Sequence, residues 1–315
     1  MHLPAFSDIE DAYVRIAPYI HTTPVLTNSA INKITGAEIF FKCENFQKVG
    51  AFKFRGACNA VFSLSDANAS KGVGTHSSGN HAAALALAAK LRGIHAYIVM
   101  PGNSPQIKKN AVGSYGGIIT FCEPTLAARE TTLKKVLFES GAIMVHPYNQ
   151  KEVIAGQGTC ALELMQQQNN LDCIVTPVGG GGLLSGSSIT ARYLNPNIEI
   201  IGAEPQGADD AYQSFKSKKL IPSQNPNTIA DGLLTSLGSL TFEIISKNVD
   251  TIITTPDSST INAMRLIWER MKIIVEPSSA VALAIILDNK ANFKNKKVGV
   301  ILSGGNVDLN SLPFG

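Results

Sequence analysis

The sequence predicts an α/β fold made of two parallel sheets, each covered by helices on both faces. Short runs rich in β-branched and other apolar residues alternate with longer segments in which apolar residues recur at helical spacing. The short runs are apolar throughout, which is typical of parallel strands buried on both faces. The length of 315 residues corresponds to about two domains at the usual ~100–200 residues per domain.

The alternation is most regular in the middle of the chain, which predicts a small domain at residues 69–149. Its predicted strands lie at 72–77, 96–100, 118–121 and 143–147, and its predicted helices lie at 78–93, 104–116 and 125–140. The alanine-rich helix 78–93 ends at a glycine, a residue favoured at helix C-termini.

The flanking segments, residues 1–68 and 150–315, are predicted to form a large domain around the second sheet. Predicted strands lie at 37–44, 173–178, 198–204, 251–255 and 297–303, and predicted helices lie at 51–64, 150–168, 183–194, 258–272 and 278–289. In folds of this class, ligands bind beyond the carboxyl ends of the strands. Residues with chemical roles are therefore expected directly after strands.

The charge and hydropathy patterns exclude several classes of partner. The 27 basic residues are dispersed and the net charge is only +3, so a nucleic-acid partner is not expected. Two short lysine clusters, at 216–219 and 294–297, are typical of solvated loops. No apolar stretch reaches the ~18 residues of a membrane span. Because proline and acidic residues stand where a signal peptide needs an apolar run, we expect a cytoplasmic protein.

The five cysteines favour a reducing compartment. Their number is odd and none stands in a C-x-x-C pair, which disfavours both a disulfide framework and a structural zinc site. Buried free thiols are the simplest interpretation. The residues are Cys43, Cys58, Cys122, Cys160 and Cys173.

Four consecutive glycines, which we call the glycine loop (residues 179–182), join a predicted strand to a predicted helix. Such a turn can direct backbone N–H groups and the positive end of a helix at one anion, such as a phosphate. A Walker loop is excluded because no Gly-Lys-Ser/Thr follows. Two alternatives stay open. One is a dinucleotide site in which Gly180 and Gly182 belong to the fingerprint and Glu204 binds the ribose. The other is a flexible turn without a ligand.

Two further strand ends carry hydroxyl groups. The serine loop (residues 77–80, Ser-Ser-Gly-Asn) can offer its amides to a carboxylate and a hydroxyl to proton transfer, although Ser78 can equally cap the helix that follows. Ser303 can hydrogen-bond a ring nitrogen without forcing it to carry a proton. An ordinary strand-to-loop turn is the alternative for Ser303.

A fourth strand end is acidic. Glu204 and Asp210, together with the carbonyl of Ala208, offer three oxygen ligands to a hard cation. The structural alternative is a helix cap by Asp209 or Asp210 with a solvated glutamate. On spacing alone, the helix cap is favoured.

Lys53 stands between two phenylalanines in the segment 51–57, AFKFRGA. Burial lowers the pKa of a lysine because desolvation penalises the ammonium form, and the neutral amine can then attack an aldehyde. A phosphate-binding turn, a partner for a ring nitrogen and a buried lysine together suit pyridoxal phosphate. The alternative is an ordinary helix lysine whose charged end reaches water.

Taken together, these motifs resemble the serine racemase and serine/threonine dehydratase branch of the fold-type II pyridoxal-phosphate enzymes, whose fold is that of the tryptophan synthase β subunit. The resemblance extends from residues 23–32 to residues 303–308, in the family's order and spacing. It is carried by the segments AFKFRGA, SSGNH, GGGGLLSG, AEPQGADD, ERMKIIVEP and LSGGNVD. It implies two α/β domains with the cofactor in the cleft between them, and a homodimer.

The resemblance implies that residues of both domains hold pyridoxal phosphate. Lys53 would form the Schiff base and act as acid and base on one face of the cofactor, and Ser78 would act on the other. Asn80 would contact the ring oxygen, the glycine loop the phosphate, and Ser303 the pyridine nitrogen. The implied cofactor contacts are Lys53, Asn80, Tyr148, Gly179, Gly180, Gly181, Gly182, Leu183 and Ser303.

The resemblance also implies a divalent cation and a nucleotide effector. Glu204, Ala208 and Asp210 match the family's site for Mg²⁺, with Ca²⁺ or Mn²⁺ as alternatives, which reverses the conclusion from spacing alone. ATP is the implied effector, although Ala83 departs from the glutamine that the nucleotide-binding racemases carry. The residues implied for ATP are Asn28, Ser29, Ala30, Lys48, Val49, Tyr115, Lys272 and Asn306.

The implied activity is interconversion of L- and D-serine, with elimination of serine to pyruvate and ammonia as a side activity. The alternative within the class is an ammonia-lyase for threonine, serine or threo-3-hydroxyaspartate with minor racemisation. Arg129 would then meet a second substrate carboxylate, unless it is an ordinary solvated helix arginine. A nucleotide-binding oxidoreductase and a catalytically silent amino-acid sensor are the alternatives from other classes.

Overall fold

The structure, a computed structural model, describes residues 3–314, and these residues form ten strands. The strands are β1 (Val25–Leu26), β2 (Glu38–Cys43), β3 (Val73–His76), β4 (Ala96–Pro101), β5 (Ile118–Cys122), β6 (Ile143–Met144), β7 (Cys173–Pro177), β8 (Glu199–Pro205), β9 (Thr251–Thr255) and β10 (Lys297–Leu302). Nine of them overlap predicted strands, and β1 was not predicted. With only two residues, β1 is too short to show a strand pattern.

The described residues also form fourteen α-helices, of which eight overlap the predicted ones. The helices are α1 (Phe6–Ile16), α2 (Ser29–Thr35), α3 (Lys53–Phe62), α4 (Asp66–Ala69), α5 (Asn80–Arg92), α6 (Gln106–Ser114), α7 (Leu126–Ser140), α8 (Lys151–Gln167), α9 (Gly182–Leu194), α10 (Asp210–Ser217), α11 (Ser239–Asn248), α12 (Asp257–Met271), α13 (Pro277–Asp288) and α14 (Lys290–Phe293). Short 3-10 helices lie at Glu44–Phe46, Lys48–Gly50, Gln206–Ala208 and Asp231–Leu233.

The strands form two sheets, as predicted. One sheet has six strands in the order β1-β2-β10-β7-β8-β9, and the other has four in the order β5-β4-β3-β6. All neighbours pair in parallel except β1, which pairs with β2 in the antiparallel direction at one edge. The four-stranded sheet takes all its strands from the predicted small domain. The predicted fold class is confirmed.

Both faces of the six-stranded sheet are buried, which explains why its strands are apolar throughout. Val300 of β10 belongs to a core that contains residues of α12 and α13, whereas its neighbour Ile301 belongs to a core with residues of α9 and α11. Successive strand residues point to opposite faces. Because β10, β7 and β8 are neighbouring parallel strands, their carboxyl ends lie side by side at one edge of the sheet, which carries the glycine loop, Glu204 and Ser303.

Helix α3 connects the two sheets and carries Lys53 at its first position. Phe54 packs into the core of the four-stranded sheet, while Phe52 packs against the core of the six-stranded sheet. The two aromatic neighbours of Lys53 therefore anchor it to both sheets. A Cβ added to Gly56 would lie 2.7 Å from the carbonyl oxygen of Val153 in α8, so a glycine is needed where the two helices meet.

A buried cluster of four charged side chains fixes α3 against β2 and α8. The Arg55 guanidinium donates to both oxygens of Glu44 (2.7 and 2.8 Å) and of Glu163 (both 2.8 Å). Lys42 Nζ donates to Glu163 at 2.7 Å. Burial alone would raise the pKa of Glu44, but the Arg55 charge and hydrogen bonds hold it below its usual range. The two cations and two anions balance each other, as burial requires.

None of the helices within residues 3–314 combines the length and hydropathy that a membrane crossing requires. All five cysteines are free thiols. Four are buried, as the sequence analysis expected, and Cys122 is only partly buried.

Candidate active site

The Lys53 amine lies at the carboxyl-end edge of the large sheet, with a partly buried side chain. Nζ donates to the carbonyl oxygen of Pro147 at 2.9 Å and lies 5.2 Å from the ring centre of Phe52. Burial lowers the pKa of the amine to about 8, although the negative charge of Glu276 opposes this shift. An amine with this pKa can both take up and release a proton near neutral pH.

The glycine loop follows β7 and leads directly into α9. Gly181 has a left-handed backbone with φ of 85°, which glycine adopts without strain. A Cβ on Gly179 would lie 2.8 Å from Cα of Leu233. The first amides of α9, at Gly182 and Leu183, have no intrahelical partner, and no side chain among residues 3–314 caps this helix. The loop thus presents free N–H groups and the positive helix end to an anion.

Tyr148 covers the glycine loop from the side. A Cβ added to Gly180 would lie 2.5 Å from Cγ of Tyr148, and a Cβ added to Gly182 would lie 3.0 Å from its Cβ. Burial raises the pKa of the Tyr148 hydroxyl, and the nearby Asp210 raises it further. The ring is therefore uncharged and packs on the loop backbone.

Ser303 lies directly beside Phe52, the residue that precedes Lys53. Its carbonyl oxygen accepts the N–H of Phe52 at 3.0 Å, and Gly304 pairs with Ala51 in an isolated antiparallel bridge. These contacts tie the end of β10 to the start of α3. The side chain of Ser303 is buried, at 3% exposure.

The serine loop follows β3 in the four-stranded sheet. Helix α5 starts after Gly79 without a side-chain cap, so the suggestion that Ser78 caps this helix is wrong. Ser77 instead supports the turn, since its Oγ accepts the Gly79 N–H at 3.3 Å. The Ser78 hydroxyl is therefore available for a role other than capping.

Asn80 connects the serine loop to the large sheet. Its Nδ2 donates to both carboxylate oxygens of Glu276 at 3.1 and 3.2 Å. Its Oδ1 accepts from Nδ2 of Asn306 at 2.9 Å. The structure thus brings Asn80 to the same edge as Lys53 and Ser303.

Glu276 is the site residue that the sequence analysis missed. It lies just before α13 and is 5% exposed. Burial raises the pKa of its carboxyl to about 7, and the charge of Asp231 adds to this effect. Its backbone N–H donates to the Gly304 carbonyl oxygen at 3.0 Å. A glutamate followed by proline and a largely apolar helix is typical of an ordinary helix start, so only its position in the fold reveals its role.

The predicted cation ligands lie at the end of β8 and the start of α10. Glu204 is fully buried, and its two oxygens accept the N–H groups of Ala211 (2.8 Å) and Tyr212 (2.7 Å). The expectation that a solvated glutamate would accompany a helix cap by Asp209 or Asp210 is therefore wrong. These contacts also leave Glu204 poorly placed to bind a ribose, which removes the main support for a dinucleotide site.

The electrostatics of this acidic pair suit a cation. Asp210 Oδ2 accepts the Leu237 N–H at 3.2 Å, while Oδ1 is buried without a partner in the part of the chain described. Burial raises the pKa of Glu204 to about 9 and that of Asp210 to about 6. No group of three metal-ligating acidic, histidine or cysteine side chains occurs within residues 3–314. Backbone oxygens, such as that of Ala208, would have to complete a coordination shell.

The residues implied for ATP fall into two groups. Asn28 caps α2, accepting the N–H groups of Ala30 and Ile31 at 3.1 Å, and donates to the Arg270 carbonyl oxygen near the end of α12. This places Asn28, Ser29 and Ala30 near the C-terminal end of α12, where Lys272 is the C-cap residue.

In the second group, Asn306 Nδ2 donates to the Val49 carbonyl oxygen at 2.8 Å, beside Lys48. Val49 and Tyr115 pack against one core. Ala83 is buried in the first turns of α5, at 8% exposure.

The residues at this edge fit pyridoxal phosphate in three respects. The glycine loop offers unpaired amides where a side chain would not fit, which suits a phosphate. Lys53 has a lowered pKa, which suits a link to an aldehyde. Ser303 offers a hydroxyl that can accept or donate at a ring nitrogen.

A family model described as "Pyridoxal-phosphate dependent enzyme" matches residues 16–304. A beta-hydroxyaspartate dehydratase from Paracoccus denitrificans is 53% identical over 314 residues, which cover 100% of both chains. A serine racemase from Dictyostelium discoideum is 56% identical over 312 residues, 97% of this chain and 95% of the relative.

The fold agrees with these sequence matches. The crystal structure of serine racemase from Dictyostelium discoideum superposes with a TM-score of 0.94 at 55% identity, over 97% of this chain and 99% of that one. The resemblance inferred from the motifs is thereby confirmed.

Proposed function

Since this chain belongs to the family of pyridoxal-phosphate dependent enzymes, we propose that it interconverts L- and D-serine and also deaminates serine to pyruvate and ammonia. The observation that carries this proposal is the Lys53 amine, with its pKa lowered to about 8, at the edge that also holds the glycine loop and Ser303 and that Asn80 of the serine loop reaches through Glu276. Similarity to serine racemases over nearly the whole chain supports the choice of substrate.

Each residue of this edge has a distinct proposed task. When bound, pyridoxal phosphate supplies a conjugated ring that spreads the charge left when the substrate loses its α-proton. The amides of residues 179–182 and Leu183 hold the phosphate, and Tyr148 limits the space beside it. Asn80 holds the ring oxygen. Ser303 partners the ring nitrogen without giving it the full proton that a carboxylate partner would impose.

Two groups would move the α-proton. Lys53 removes it from L-serine on one face and can return it there. Ser78, carried by the four-stranded sheet, would donate a proton on the opposite face, which yields the D-enantiomer. Elimination from L-serine needs no group on the second face, because the proton that Lys53 takes from the α-carbon can pass to the β-hydroxyl, which then leaves as water.

We propose that a divalent cation binds Glu204, Asp210 and the Ala208 carbonyl oxygen. Mg²⁺ is the first candidate, with Ca²⁺ and Mn²⁺ as alternatives, because all ligands are oxygens. A cation would neutralise two carboxylates whose pKa values are raised by burial. Chelation should then lower thermal stability, either ion should restore it, and Asp210→Asn should be insensitive to both treatments. If chelation leaves the stability of the purified protein unchanged, no cation binds here and Glu204 serves only to accept the N–H groups at the start of α10.

The cofactor assignment has a direct chemical test. Borohydride reduction makes the link between a lysine and pyridoxal phosphate permanent, so it should leave the pyridoxyl mass on the peptide that contains Lys53. The purified protein should also be yellow. A colourless protein, or a pyridoxyl group on another lysine, would overturn the assignment.

The second candidate function is an ammonia-lyase for threo-3-hydroxyaspartate, threonine or serine with minor racemisation. It is favoured by the Paracoccus relative and by Arg129, whose Nε is buried without an acceptor among the described residues. A second substrate carboxylate is a group that Arg129 could bind. Comparing kcat/KM for L-serine, D-serine, L-threonine and threo-3-hydroxyaspartate separates the two candidate functions. If Arg129 binds the second carboxylate, Arg129→Lys should reduce only the turnover of hydroxyaspartate.

The remaining assignments are proposals of the same kind. We place the domain boundaries at residues 68/69 and 149/150, so that the small domain closes over the large one, and we infer a cytoplasmic homodimer. ATP is proposed as an effector at the two residue groups near Asn28 and Asn306. Calorimetric titration with ATP tests the last point, and Ala83→Gln should strengthen any response if the missing amide weakens it.

A further inference from the structure

We propose that His146 is a positioning residue. Its neutral imidazole holds the turn that carries two groups of the site, the Pro147 carbonyl that accepts from Lys53 and the Tyr148 ring that covers the glycine loop. This inference rests on the proposed role of Lys53. We call residues 146–150 the His146 turn. No function was predicted for this histidine from the sequence.

The His146 ring organises the turn through one atom. Its Nδ1 accepts the backbone N–H of Asn149 at 2.8 Å and that of Tyr148 at 3.3 Å. The backbone N–H of His146 donates to Oε1 of Gln150 at 2.9 Å, which closes the turn from the other side. A single side-chain acceptor that binds amides two and three residues ahead fixes a local turn in the manner of an Asx turn.

The turn has three contacts with its surroundings, one from each of its central residues. The Pro147 carbonyl oxygen accepts from Lys53 Nζ at 2.9 Å. The Tyr148 ring packs on Gly180 and meets the His146 ring edge-on, with 4.6 Å between centroids. Asn149 Oδ1 accepts the N–H of Leu240 at the start of α11. Moving the turn would therefore shift the Pro147 carbonyl, which accepts from Lys53, and the Tyr148 ring, which packs on the glycine loop, together.

Nδ1 can accept these bonds only while it carries no proton, so the neutral tautomer has its hydrogen on Nε2. Among the described residues, the titratable groups that face His146 are Lys53 from α3, His76 from β3, His81 from α5 and the uncharged hydroxyl-bearing ring of Tyr148 within the turn itself. Burial lowers the pKa of His146 to about 4, and the charges of His76 and Lys53 contribute to the shift. The acceptor is thus kept available across the physiological pH range.

The test uses three variants of His146 and one control. Asparagine places Oδ1 close to the position of Nδ1 and should keep the turn, whereas leucine removes the acceptor and glutamine moves it one bond further. His95→Leu is the control, because His95 is exposed and lies just before β4. The measurements are the pKa of the Lys53 amine in cofactor-free protein, by pH-dependent chemical labelling and mass spectrometry, and the dissociation constant of added pyridoxal phosphate.

His146→Leu and His146→Gln should lower the pKa of Lys53 by about one unit, since the ammonium form loses its acceptor, and should weaken cofactor binding about tenfold. His146→Asn and His95→Leu should match the parent protein in both measurements. If the leucine and glutamine variants do not fold while the asparagine variant does, the acceptor role is supported. A folded leucine variant with the parent pKa, or an asparagine variant as impaired as leucine, would overturn the proposal.

These outcomes can be told apart from failure of the proposed function. The pKa of Lys53 is measured without cofactor or substrate, so it reports on the His146 turn whatever the reaction. If borohydride places no pyridoxyl group on Lys53, the proposed function fails, whereas the titration still decides the role of His146.

Discussion

Replacing Gly180 with alanine tests whether the space above the glycine loop is filled as the structure shows. The added Cβ would lie 2.5 Å from Cγ of Tyr148 and within contact of the rest of the ring. The backbone of Gly180 has no positive φ, so the substitution introduces no conformational strain. The whole effect should therefore come from the overlap with the ring.

The magnitude follows from the size of this overlap. Forcing one extra methyl group into a well-packed site destabilises a protein by ~1–3 kcal/mol. At ~2 kcal/mol, and with the unfolding entropy typical of a chain of this length, the melting temperature of the cofactor-free protein should fall by about 3 °C. Binding of pyridoxal phosphate should weaken as well, because the ring or the loop must move.

A double-mutant cycle isolates the cause. In the background of Tyr148→Ala the ring is absent, so Gly180→Ala should lose most of its ~2 kcal/mol effect on stability. Gly113→Ala is the matched control, because a Cβ there meets nothing within 4 Å. It should be neutral or stabilise slightly by improving helix propensity. Equal destabilisation by Gly180→Ala with and without the Tyr148 ring would show that overlap with this ring is not the cause.

Three further substitutions test other parts of the site. Ser78→Ala should lower L-to-D conversion and D-serine deamination by orders of magnitude while keeping much of the L-serine deamination, and it should keep its stability because Ser78 does not cap α5; equal loss of all activities in a chiral assay would contradict this. Burial raises the pKa of Glu276 from 4.5 to about 7. The stability that the protonated carboxyl contributes is therefore complete below pH 4.5 and is lost as the pH rises through 7. Glu276→Gln should remove this dependence, worth roughly 3 kcal/mol, and parallel stability–pH curves for the two proteins would be inconsistent with it. Arg55→Met leaves Glu44 and Glu163 buried without their guanidinium and should lower the free energy of unfolding by roughly 3–5 kcal/mol in urea titrations; a loss below ~1 kcal/mol would show that the cluster relaxes.

The fold was largely predictable because its strands are buried on both faces and therefore give continuous apolar runs. Strands such as β7 and β10 and helices such as α8 carry this signal within themselves. The antiparallel β1 does not, since two residues cannot show a period. Helix α1 was also missed, although its buried residues Phe6, Ile9, Ala12 and Ile16 follow helical spacing.

The candidate site was predictable where a local pattern dictates the chemistry. The glycine loop and Lys53 stand out because four consecutive glycines, and a lysine between two phenylalanines, are unusual unless a ligand or a reaction requires them. Glu276 does not stand out, because its partner Asn80 lies 196 residues away in the chain and only the fold brings them together. The same holds for Glu204, whose burial and amide contacts depend on how α10 turns back over β8.

Two-sided proton transfer at the α-carbon is the central claim, and proton NMR of L-serine incubated with the enzyme in D₂O tests it most directly. We expect the α-proton signal to disappear while α-deuterated D-serine and pyruvate accumulate together. Lys53→Ala, with pyridoxal phosphate added, should give none of these changes. Pyruvate without D-serine would contradict the racemase activity, and α-proton exchange that persists in Lys53→Ala would contradict the role given to the lysine.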